Sequence, residues 1–140
     1  MTAVEIAERK GRWRAFAFLF LAALTCAVMV AVRNDPGSDF KQGLWVGVLV
    51  GCTLNLLPIK RWLRPNSEVL RLLEDEVVTA NRRLSCVIGF WAAILVALFY
   101  SFASHFDPSI GAGEVGQVVA TAGIVLAMLA FGILELRSAR

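Results

Sequence analysis

Few residues in this chain combine a reactive type with a setting in which they could act. His105, the single histidine, follows Ser101 and Ser104 at helical spacing, and Glu114, Gln117 and Thr121 recur soon after at i, i+3 and i+7. A hairpin would face these two groups toward each other. A His105–Glu114 pair there could sense pH or hold a small cation. The competing reading, which the composition favours, is a set of boundary residues meeting water and headgroups. Asn55 is a lone amide inside an apolar stretch, the setting in which an amide bonds across helices as structural glue or touches a ligand. Glu74, Asp75 and Glu76 form an acidic cluster followed by Arg82 and Arg83, a charged surface suited to a protein partner.

Other chemistries lack their residues. Cys26, Cys52 and Cys86 show no paired metal-ligand spacing and read as small packing residues, so neither metal nor cofactor is expected. One histidine cannot supply a bis-histidine haem. No phosphate-cradling GxxxxGK[ST], HExxH or Ser-His-Asp arrangement occurs. Catalysis is not expected.

The elements that must carry these residues are four apolar runs, at 15–32, 43–59, 85–103 and 115–134, none containing an acidic or basic residue. At about 1.5 Å per residue each can cross a hydrocarbon core roughly 30 Å thick. Of the 140 residues, 58% are hydrophobic and only 18% charged, too few polar groups to cover a water-exposed surface. The expected fold class is an all-α membrane protein, a four-transmembrane-helix antiparallel bundle forming one domain over residues 1–140.

The net charge of +3 is a topological signal and not a nucleic-acid footprint. Of the 14 lysines and arginines, all but Arg33 and Lys41 precede the first run, lie between the second and third, or follow the fourth. The positive-inside rule then puts both termini and the middle segment in the cytoplasm, facing anionic headgroups. The first run follows a basic stretch but is longer than the roughly 7–15 apolar residues of a cleaved signal, so a retained anchor is expected. Trp13 and Trp62 fall at the cytoplasmic boundary and Trp45 near the outer one, where indoles anchor.

Small residues mark the helix contacts. Gly43, Gly47 and Gly51 recur every four residues, with Asn55 continuing their face. Gly89, Ala93 and Ala97 repeat the pattern in the third run, and the fourth offers Gly116, Ala120, Gly123 and Ala127. Such stripes let helices approach backbone to backbone, within one chain or between two copies. The interior should then be tight, with no wide pore.

The one sizeable polar stretch, 60–84, opens on Lys60-Arg61-Trp62-Leu63-Arg64 before Pro65. Asn66 or Ser67 can cap a new helix, over about 67–83, with an apolar stripe at Val69, Leu70, Leu73, Val77, Ala80 and Leu84. Neither proline nor glycine separates it from the third run, so this cytoplasmic amphipathic helix should extend into the third span. Its segment Leu73-Glu74-Asp75-Glu76-Val77-Val78-Thr79-Ala80-Asn81-Arg82-Arg83, and the ending from Thr121-Ala122-Gly123 to Leu134-Glu135-Leu136-Arg137, resemble a family of small uncharacterised four-helix bacterial inner-membrane proteins. The resemblance implies a bacterial inner-membrane location and a regulatory or partner-binding role.

The expected function is therefore a non-catalytic, multi-pass membrane protein that self-associates or binds a membrane or cytoplasmic protein partner. A small transporter or channel, and an accessory subunit of a larger membrane complex, stand as alternatives.

Overall fold

The four prolines, at 36, 58, 65 and 108, punctuate the chain. A residue before proline is pushed out of the α region by the pyrrolidine ring. Helix α1, Ala3–Asn34, accordingly stops one residue short of Asp35, and α2, Asp39–Leu56, stops before Leu57, which is extended at φ −79°, ψ 144°. Helix α3, Glu76–Phe106, ends before Asp107, and α4, Ala112–Ser138, contains no proline. The computed structural model describes residues 3–35, 37–57, 76–107 and 109–138.

The architecture is all-helical among the described residues, and three helical stretches are long and apolar enough to cross a membrane: Gly11–Asn34, Glu76–Phe106 and Ala112–Ser138. The expected span over 43–59 is shorter as a helix. It is cut at Leu56 by the conformational demand of Pro58, and its apolar part from Gly43 amounts to about 20 Å of helix. The 67–83 helix lies outside the described residues up to 75. From Glu76 onward the chain is helical without a break through Phe106.

Short turns join the pairs. Between α1 and α2, the Ser38 amide donates to the Asp35 carbonyl (3.4 Å) and Lys41 pairs with the Asp35 carboxylate (2.9 Å). Between α3 and α4, the Asp107 carboxylate accepts from both the Ser109 amide (3.0 Å) and hydroxyl (2.6 Å), an Asx turn. These two bonds, the hydroxyl's first, hold the Asp107 carboxyl below its ordinary value of 3.8.

Helix α4 is the hub, packing on α1, α2 and α3. It buries Thr121, Val125, Ala127, Met128, Phe131, Gly132 and Glu135. Phe18 of α1 meets Phe131 with ring centroids 4.6 Å apart, and Cys52 and Leu56 of α2 complete the cluster. Helix α3 buries only Val78, Ser85 and Gly89, and shows Phe90, Trp91, Leu95, Leu98, Phe99 and Phe102 outward. A contiguous aromatic face of this kind is foreign to a water-exposed surface.

Two crossings depend on glycine. A Cβ on Gly89 would lie 2.5 Å from the Gly123 carbonyl oxygen and 2.7 Å from the Ala127 Cβ, so α3 and α4 touch through their backbones. A Cβ on Gly132 would meet the Leu19 side chain at 3.0 Å and the Ala15 carbonyl at 3.3 Å, which fixes the α1–α4 spacing.

Candidate functional site

Opposite charges at the ends of the apolar stretches of α1 and α4 meet pairwise. Arg14, directly before the first apolar run, pairs with Glu135, directly after the fourth. At the other end of the same two helices, Arg33 Nη2 donates to Glu114 Oε1 at 2.8 Å. The helices are therefore antiparallel, and the Phe18–Phe131 contact falls in the same register.

The two pairs differ in environment. Arg33 and Glu114 keep 62% and 38% of their side-chain surface exposed, so water screens them. The Glu135 side chain is only 4% exposed and that of Arg14 32%. Glu135 Oε1 accepts from Arg14 Nη2, while Glu135 Oε2 and Arg14 Nε are buried without a hydrogen-bond partner among the described residues. The guanidinium also lies over the Phe131 ring, 5.8 Å from its centroid. A Cβ on Gly11 would sit 3.7 Å from Oε1, an ordinary contact distance, so the start of α1 lies beside the carboxylate without a steric demand for glycine. Opposing charges at two run ends were visible as residues; that α1 and α4 are neighbours was not.

The outer residues expected to act together lie on two helices, α3 and α4, and those of α4 take partners on α1 and α2. The ion pair Glu114 makes is with Arg33, and Thr121 accepts a hydrogen bond from the Trp45 indole of α2 at 3.0 Å. Gln117 is half-buried between them in sequence. On α3, Ser104 donates to the Ser101 carbonyl at 2.9 Å, and exposed His105 stands edge-on to Phe106, ring centroids 5.6 Å apart.

The packing residues also divide. Gly89, Ala93 and Gly123 form the α3–α4 crossing described above, and Ala97 and Ala120 are half-buried. Among the described residues, nothing lies within 4 Å of a Cβ added at Gly43, Gly47, Gly51 or Gly116. Asn55 is exposed and donates to the Gly51 carbonyl of its own helix at 2.9 Å. Glu74 and Asp75 lie outside the described residues; Glu76 and Arg83 are exposed and Arg82 is half-buried.

The buried hydroxyl of Thr25 escaped the sequence reading, whereas Ser85 belongs to the small-residue stripe of the third run. Thr25 is fully buried, donates to the Leu21 carbonyl at 2.7 Å and lies 3.5 Å from Cys52 Sγ. Ser85, equally buried, donates to the Asn81 carbonyl at 2.5 Å. Each satisfies its hydroxyl within its own helix and leaves a small surface for a neighbour.

This geometry defines a class: an all-helical protein with a charge-paired α1–α4 core and three helices able, by length and composition, to cross a membrane. Comparison with protein-family models, curated proteins and solved structures gives no match.

Proposed function

We propose that the chain is a non-catalytic, multi-pass protein of the bacterial inner membrane, crossing it four times with both termini in the cytoplasm, that self-associates or binds a protein partner. Support for the crossing comes from the two charge pairs. Arg14 and Arg33 are about 28 Å apart along α1, and Glu114 and Glu135 about 31 Å along α4, close to the hydrocarbon thickness of a bilayer. The outward aromatic face of α3 suits lipid, and the cation distribution suits a cytoplasmic N-terminus. In this reading α2 crosses with help from the apolar residues that continue its run to 59.

Association is carried by one contrast. Gly89, Ala93 and Gly123 are consumed in the α3–α4 crossing, whereas the Gly43, Gly47 and Gly51 stripe of α2 meets no neighbour among the described residues. An open glycine stripe in a membrane helix suits close approach by another helix. The test is the oligomeric state of the full chain in mild detergent and in liposomes, with Gly47→Leu as the variant. Loss of a discrete oligomer supports the reading; a wild-type monomer with no co-purifying membrane or cytoplasmic protein refutes it. The acidic residues Glu74–Glu76 are the sites from which a cytoplasmic partner should cross-link.

A further inference from the structure

Arg14 is lopsidedly placed. Its partner Glu135 is buried to within 4% of its side-chain surface, and the second carboxylate oxygen has no hydrogen bond, so the guanidinium cannot leave without stranding a buried charge. Yet 32% of the Arg14 side chain stays at the surface. Phe131 supports one face of the guanidinium and Glu135 engages one nitrogen, which fixes the group's direction. Arginine offers five N–H donors in a rigid plane, more than a single accepting oxygen can use. The neighbouring Trp13 is 70% exposed and Arg9 is exposed on the same helix. Counted along α1 from Arg33, residue 14 falls about 28 Å away, at the opposite edge of a hydrocarbon core roughly 30 Å thick and so beside the headgroup layer.

We propose that Arg14 is a shared ligand: Glu135 holds it from within, and an N–H donor not used by that pair takes the phosphodiester of an anionic phospholipid in the cytoplasmic leaflet. Arg14 touches the lipid; Glu135 and Phe131 are positioning residues. The anionic leaflet lies on the side to which the cation distribution assigns this end of α1. The planar fork is what permits two anions to be served at once, and a lysine in its place would follow Glu135 as a point charge. The site rests on the membrane reading above and adds to it a specific headgroup position.

The experiment titrates phosphatidylglycerol into the full chain in a zwitterionic detergent and counts retained lipid by native mass spectrometry. Arg14→Gln and Arg14→Lys should each weaken retention about thirtyfold, through lost charge-assisted hydrogen bonds. Arg9→Gln, a loss of general surface charge, should weaken it only about fivefold. The lysine variant retains a cation for Glu135, so it reports on the headgroup contact even if Arg14→Gln does not fold. Wild-type retention by Arg14→Lys, or equal losses from Arg9→Gln and Arg14→Gln, overturns the proposal. Equal competition by inorganic phosphate overturns the assignment to lipid. Alkaline carbonate extraction of the wild-type chain from membranes tests the membrane reading separately: release into the supernatant removes that reading whatever the lipid titration gives.

Discussion

Arg14 and Glu135 close one end of the α1–α4 pair while Arg33 and Glu114 close the other, and only the first pair is buried. The burial is also uneven within the pair, since the carboxylate is far better covered than the guanidinium. That inequality gives the two partners different mutational costs.

Removing Arg14 leaves a buried carboxylate without its counter-ion, whereas neutralising Glu135 leaves a cation that can turn toward the surface. We predict that Arg14→Met destabilises the folded chain by about 3 kcal/mol. Glu135→Gln should cost about 1 kcal/mol. Unfolding by SDS in mixed micelles measures both; equal losses would contradict the asymmetric burial.

The glycines should separate into two classes. Gly89→Ala forces a methyl against the Gly123 carbonyl and the Ala127 side chain, which overpacks the crossing at a cost of about 1–3 kcal/mol. Gly47→Ala meets open space and should leave the stability of the single chain unchanged or raise it by up to about 1 kcal/mol. The same unfolding assay, run at a dilution where the chain is monomeric, checks the difference in sign.

Helix α2 is tied to α4 by the Trp45 indole and Thr121 hydroxyl. A double-mutant cycle of Trp45→Phe and Thr121→Val should give a coupling near 0.6 kcal/mol, about the mean measured for hydrogen bonds between membrane helices. A coupling of zero would mean that the two groups do not bond in the folded protein.

The α3–α4 turn should be acid-sensitive. Bonds from Ser109 lower the Asp107 pKa from 3.8, so the stabilisation is complete above the unfolded value and is lost as pH falls through the folded one. Hydrogen exchange at the Ser109 amide should therefore lose protection on strong acidification. Asp107→Asn should abolish that dependence, leaving a protection that no longer changes across the same acid range.

Much of this arrangement is written locally. Prolines 36, 58 and 108 set where α1, α2 and α3 end, because their rings constrain the preceding residue whatever the tertiary context. Uncharged runs of sufficient length mark the helices, with the boundary of α2 the exception: the helix ends at Leu56 inside an apolar run, and hydrophobicity does not register the constraint a proline places on the residue before it. Spacing likewise identified which small residues share a face, and Gly89, Ala93 and Gly123 do meet.

Spacing could not say what lies opposite a face. The stripes on α2 and α3 have the same period, yet one is open and the other is pressed against α4, because only the folded bundle decides which helix is central. For the same reason spacing offered Glu114 only His105, its neighbour across a short turn, as a possible partner, while its ion pair is with Arg33, 81 positions away. Sequence alone determined the apolar helical stretches and the uneven distribution of charge along the chain, since these follow from local sterics and solvation. The tertiary structure decided the partners of Arg14, Arg33 and Gly132, because contact between distant helices depends on packing that no single helix encodes.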